Sequence, residues 1–225
     1  MGTMAEDQGK PEAEAAPPRE PAIRAPWPVL LLSGSFLALY ALQSTAVSPE
    51  AVAARFAFSP LDLTDGRWGG LITAMFVHGG WPHVILNALG ALAFGTPIAR
   101  LFARDARGGA ISFFVFFLVC GVLSSLGYAM LHWRAPYMLV GASGGVSGLM
   151  GAASRLIDRR SGLAPFRSRT VVSMAVAWVL VNLAIGVVGL GGVSGGAPIA
   201  WEAHLAGYFA GLFLLAPALK LFTKA

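Results

Sequence analysis

Four polar residues have the types and settings that acyl-transfer chemistry uses: Ser143, His204, His83 and Asn87. Ser143 stands in the run Gly141-Ala142-Ser143-Gly144-Gly145-Val146-Ser147-Gly148-Leu149-Met150-Gly151. A serine hydroxyl is a weak nucleophile until a base takes its proton. His204 is the candidate base. It lies one turn before Gly207, and Gly207 with Gly211 repeats the small-residue spacing that lets membrane helices approach closely. His83 and Asn87 are four apart, on one helix face, and their N–H groups can donate to a developing oxyanion. Each glycine in a soluble helix interior costs about 1 kcal/mol relative to alanine. Five of them in the eleven residues around Ser143 therefore point to a geometric need. Two needs fit: backbone N–H groups left free beside the serine at a helix start, and close approach by another helix.

The elements that must carry these residues are membrane spans. Of the 225 residues 56% are hydrophobic and only 12% charged, and the mean hydropathy is +0.68. A soluble domain usually carries about 25% charged residues. Crossing the hydrocarbon core takes about 20 apolar residues in a helix. Six segments qualify, over 29–47, 81–99, 110–131, 139–157, 171–190 and 200–222. The first of them is longer than the apolar region of a signal peptide and reads as a span. The stretch 71–77 is apolar but too short to cross, and with Gly79, Gly80 and Pro82 behind it reads as an interfacial or re-entrant loop leading into the second span. Residues 1–27 are rich in Ala, Pro and Glu without apolar periodicity, which predicts a disordered tail. The membrane domain then covers 28–225. Cys120 is the single cysteine and lies in an apolar run, so no intrachain disulfide or thiolate cluster is expected.

The net charge of +5 belongs to loops and not to nucleic-acid binding. Thirteen of the sixteen Lys and Arg residues fall on one side of the six spans. They are Lys10, Arg19 and Arg24 in the tail, Arg100, Arg104 and Arg107 after span two, Arg155, Arg159, Arg160, Arg167 and Arg169 around the loop after span four, and Lys220 and Lys224 at the end. Arg55, Arg67 and Arg134 fall on the other. Basic residues mark the cytoplasmic side, so both termini are expected there. His83, Asn87, Ser143 and His204 then all lie in the first turns of their spans from the outer end, each within roughly 10 Å of it at 1.5 Å per residue.

Each of the four has a structural explanation when taken alone. A serine in a membrane helix bonds back to its own helix, a histidine packs between helices, and an asparagine joins two of them. Their shared depth on three separate spans argues for a common task, because polar groups inside spans are costly. Glu202 is two residues from His204 and points to a different face, so the pair reads as a dyad with the imidazole oriented by packing. A metal or haem carrier built on His78, His83, His132 and His204 is the weaker alternative. His78 and His83 are five apart, off one helical face, and no carboxylate or cysteine joins them. A transporter would need ionisable groups near the midplane and matched broken spans, and neither is present. No metal and no cofactor is expected.

Three motifs in this order resemble the rhomboid family of intramembrane serine proteases, over residues 67–221. They are His78-x-x-x-x-His83-x-x-x-Asn87 opening span two, Gly141-Ala142-Ser143-Gly144 opening span four, and Ala203-His204-Leu205-Ala206-Gly207 with Gly211 in span six. The resemblance implies an all-α, polytopic, six-transmembrane-helix rhomboid-like bundle. It implies Ser143 as nucleophile and His204 as general base and acid, with His83, Asn87 and the Ser143 N–H as the oxyanion hole. It also implies a half-submerged loop between the first two spans. The implied activity is an intramembrane serine endopeptidase whose partners are single-span transmembrane substrates and the lipid bilayer, cutting near the outer interface and beside a small residue. The implied location is a bacterial inner membrane, with the site facing the periplasm or exterior. The alternative within the resemblance is a catalytically silent, client-binding relative. Two positions depart from the family's pattern. The loop carries Arg67-Trp68 in place of the usual Trp-Arg order. The residue four after the serine is Ser147 and not an aromatic, which leaves Tyr208, one turn from His204, as the candidate ring against the imidazole.

Overall fold

The computed structural model describes residues 25–46, 48–105, 108–157, 162–188 and 199–222. The expected tail lies outside the described residues as far as residue 24, and the first helix begins at Trp27. Among the described residues five helices are long and apolar enough to cross a membrane. They are α1 (Trp27–Ala46), α5 (Trp81–Asp105), α6 (Gly109–Leu131), α8 (Arg169–Val188) and α9 (Trp201–Phe222). At 1.5 Å per residue each reaches about 30 Å or more, the thickness of the hydrocarbon core. Their outward surfaces are apolar. Leu31 and Leu42 on α1, Ile111 on α6, and Val176 and Leu180 on α8 are all exposed. Apolar patches of this extent suit lipid and not water. The chain is an all-helical membrane protein.

The span expected over 139–157 folds differently. Only α7 (Ser143–Ser154) is helical, 12 residues or about 18 Å. Ahead of it Leu139 makes an antiparallel bridge to Phe58, Gly141 has a φ of 109°, and Ala142 already has helical angles. A hydropathy window cannot separate an apolar extended strip from a helix. The shortness is tolerated because α7 is buried in protein. Irregular backbone at membrane depth needs protein partners and not a particular length. Positions 144–149 and 151–154 are all buried. The expected count of six therefore becomes five long helices around one short central one.

α7 packs most extensively on α9, then on α6 and α5. The expected glycine contact is present. A Cβ on Gly207 would run into the Gly144 carbonyl, one on Gly211 into the Gly148 carbonyl, and one on Gly151 into the Tyr208 carbonyl. Backbone meets backbone along the whole of α7, which only glycine allows.

Between α1 and α5 the chain forms α2 (Pro49–Phe56), α3 (Pro60–Thr64), α4 (Gly70–Thr73) and a 3-10 turn, Ala74–Phe76. Ser48 and Ser59 cap α2 and α3 with proline at the first helical position, and Asp62 completes a capping box with Ser59. The apolar stretch 71–77 is thus mostly two short helical turns. Its loop is anchored by Arg67, which pairs with Asp62 and with Asp65 at 3.3 Å, while Trp68 stays exposed.

Candidate active site

The closeness of α7 and α9 brings Ser143 and His204 together. Ser143 Oγ lies 2.9 Å from His204 Nε2. Ser143 is the first residue of α7, and no side chain caps that end. Its N–H is among those a helix start leaves without an intrahelical acceptor. The start of α9 is pinned beside it, where Ser124 on α6 donates to the Ala203 carbonyl at 2.6 Å.

His83 and Asn87, both on α5, converge on the backbone just ahead of the serine. A Cβ at Gly141 would lie 2.5 Å from His83 Nε2 and 3.6 Å from Asn87 Nδ2. The positive φ of Gly141 and this crowding both require glycine. The Gly79 N–H donates to His83 Nδ1 at 3.4 Å. That leaves Nε2 of the neutral ring as the proton-bearing nitrogen, facing Gly141. Asn87 is buried, and its Nδ2 has no hydrogen-bond partner. A buried donor left unpaired costs about 1–3 kcal/mol, and such exceptions mark functional sites. The turn leading into His83 is clamped from α1. Gln43 donates to the His78 carbonyl at 2.7 Å and accepts from its N–H at 3.1 Å.

Two features differ from expectation. The imidazole is not oriented by packing alone, because His204 Nδ1 lies 2.9 Å from Asn182 Oδ1 on α8. The ring nearest His204 is also not Tyr208. Trp178, on the same face of α8 as Asn182, has its ring 6.3 Å from His204, and Tyr208 stacks behind it at 6.4 Å. Ser147 is buried and offers no ring. Asn182 was legible in principle as the one asparagine in the fifth span. In the orientation expected from the basic residues that span runs from the inner end outward, so its depth has to be counted back from residue 190, about 12 Å at 1.5 Å per residue. Glu202, as expected, faces away from the pair and meets His132 at 3.1 Å. Among the described residues no three His, Cys, Asp or Glu side chains converge to hold a metal ion.

A bundle of long apolar helices around a short central helix defines a polytopic membrane protein, with a serine and a histidine in contact where that short helix begins. The family model described as Rhomboid domain matches residues 65–221, and the chain belongs to the rhomboid family. It is 27% identical to Rhomboid protease GluP of Bacillus subtilis over 126 residues, 55% of this chain and 22% of that protein. It is 33% identical over 87 residues to RHOMBOID-like protein 9, chloroplastic, of Arabidopsis thaliana, covering 39% of this chain and 18% of the relative. It is 30% identical over 117 residues to RHOMBOID-like protein 6, mitochondrial, of the same plant, covering 52% and 35%. The matched stretch thus spans well under half of each of these relatives.

Proposed function

We propose that the chain is an intramembrane serine endopeptidase that cuts single-span membrane proteins near the outer interface. The observation that carries this is the convergence of three groups on one point. Ser143 Oγ is 2.9 Å from His204 Nε2, and the unpaired Asn87 Nδ2 is aimed at the same backbone strip. In this reading Ser143 Oγ attacks the scissile carbonyl carbon and its proton passes to His204 Nε2. The developing oxyanion accepts from the Ser143 N–H, His83 Nε2 and Asn87 Nδ2. His204 returns the proton to the leaving amine. Water, deprotonated in turn by His204, then releases the acyl chain from Ser143. A cavity beside Ser143, whose lining includes Gly141, Gly144, Gly145, Ser124 and Ser125, has room for about one water-sized group, which supports a small side chain at the cut.

Membrane domain 28–225 carries this activity in the proposal, with both termini cytoplasmic in a bacterial cell membrane. The charge distribution supports that orientation. The test is proteolysis of a model single-span substrate by purified protein, wild type beside Ser143→Ala, together with fluorophosphonate labelling. Wild type and Ser147→Ala should label, and Ser143→Ala should neither label nor cut. Labelling that survives in Ser143→Ala would overturn the assignment. Stable capture of the substrate by wild type without cutting would instead mark the chain as a client-binding relative.

A further inference from the structure

The row of hydrogen bonds that ends on Ser143 begins on the backbone of α8. Asn182 is 0% exposed. Its Nδ2 donates to the carbonyl of Trp178, one turn back, at 2.9 Å. A peptide carbonyl only accepts, so the amide must turn its NH₂ end to Trp178 and its oxygen to His204. An amide oxygen also only accepts. His204 Nδ1, 2.9 Å from it, must therefore carry the ring proton. In a neutral imidazole the other nitrogen is then an acceptor. Nε2 presents its lone pair to Ser143 Oγ, and the hydroxyl has to donate. One backbone carbonyl thus sets the direction of every bond from Trp178 to Ser143.

We propose that Asn182 is the positioning residue of the serine–histidine pair, holding His204 as the Nδ1–H tautomer with Nε2 facing the serine. The inference rests on the serine-protease reading above. An amide performs this orientation without placing a second charge among apolar helices, where an unpaired carboxylate is costly. It differs from the soluble triads, in which a buried aspartate does the same work. Trp178 supports the arrangement twice. Its carbonyl holds the amide, and its ring lies beside the imidazole.

The test compares wild type, Asn182→Ala and Asn182→Asp, each full length and in detergent or nanodiscs. Ring ¹⁵N shifts of His204 in histidine-labelled protein at pH 8, identified against His204→Ala, read the tautomer without any substrate. Wild type should carry its proton on Nδ1. Asn182→Ala should show a mixture, label at Ser143 about 10- to 100-fold more slowly, and keep KM within about twofold. That is a smaller loss than the roughly 10⁴ seen when a soluble triad is locked in the wrong tautomer. Asn182→Asp keeps the acceptor and should restore the Nδ1–H form and most of the labelling rate. A His204 proton on Nε2 in wild type, or an Asn182→Ala protein that labels at the wild-type rate, would overturn the proposal. The wild-type tautomer decides the matter even if Asn182→Ala does not fold. A wild-type protein that labels at Ser143 and carries the Nδ1–H tautomer, with both altered in Asn182→Ala, but that cuts no membrane substrate would support Asn182's role and count against the protease reading alone.

Discussion

At the scale of residues, what matters is which hydrogen-bonding capacity is already used and which is left over. His204 uses both ring nitrogens, one on Asn182 and one on Ser143. Asn87 has an unused donor in a buried place. A donor held ready for an oxyanion makes its bond only as charge develops on the substrate, so it speeds turnover and adds little to ground-state binding. Asn87→Ala should therefore lower kcat with KM nearly unchanged. Loss of one such donor in a soluble serine protease costs about 10²–10³ in rate. Here the fall should be smaller, because the Ser143 N–H and His83 remain. Steady-state kinetics on the model substrate separate the two quantities. A raised KM with intact kcat would make Asn87 a docking residue.

At the scale of elements, the site depends on how closely α7 and α9 approach. Ser143 and His204 are carried on different helices, and glycine carbonyls set the separation. Adding bulk at a backbone-to-backbone contact cannot be absorbed by a rotamer change, and overpacking costs about 1–3 kcal/mol even where side chains can yield. Gly211→Val should push α9 away from Gly148 and lengthen the Ser143–His204 contact. Probe labelling is expected to fall at least tenfold, with the protein still inserted in the membrane. Gly34, in α1, has nothing within 4 Å of its would-be Cβ. Gly34→Ala should leave labelling unchanged and raise thermal stability slightly, by the roughly 1 kcal/mol that alanine gains over glycine in a helix. Equal effects of the two substitutions would show that the glycine contact does not set the geometry. α8 contributes differently. It is mostly exposed along its apolar face, yet it carries both Asn182 and Trp178 to the histidine.

At the scale of the whole molecule, the proposed function makes a demand on the substrate. A peptide bond inside a regular membrane helix is locked in backbone hydrogen bonds and shielded by its own side chains. In the proposed orientation Ser143, the first residue of the short buried helix α7, stands at its outer end, so a client has to unwind locally near the interface, where water can reach the acyl-enzyme. Replacing a client's Gly and Pro residues by Leu should slow cleavage, because the helix then resists opening. Moving the cut site to the inner end should abolish it. Mass spectrometry of the products from such a substrate set reads both effects. Efficient cutting of an all-Leu span would remove helix opening from the mechanism. A reporter active only in the cytoplasm, fused after Ala225, tests the thirteen-to-three charge asymmetry. It should give signal, and a silent but well-expressed fusion would reverse the orientation.

The order of motifs, the apolar segments and the pairing of Ser143 with His204 were legible in the sequence. Each rests on local composition or on a repeat of small residues along one helix, and such patterns need no knowledge of which helices touch. The glycine spacing predicted the α7–α9 contact for that reason. Three things were decided only in three dimensions. The fourth span shortened to twelve residues, because enclosure by its neighbours removes the length requirement that lipid imposes on an exposed helix. The ring beside His204 came from Trp178 instead of Tyr208. Asn182 met the far nitrogen of the imidazole. The last two depend on the angle at which α8 lies against α9, which is set by the sum of many weak side-chain contacts and leaves no periodic mark in the chain.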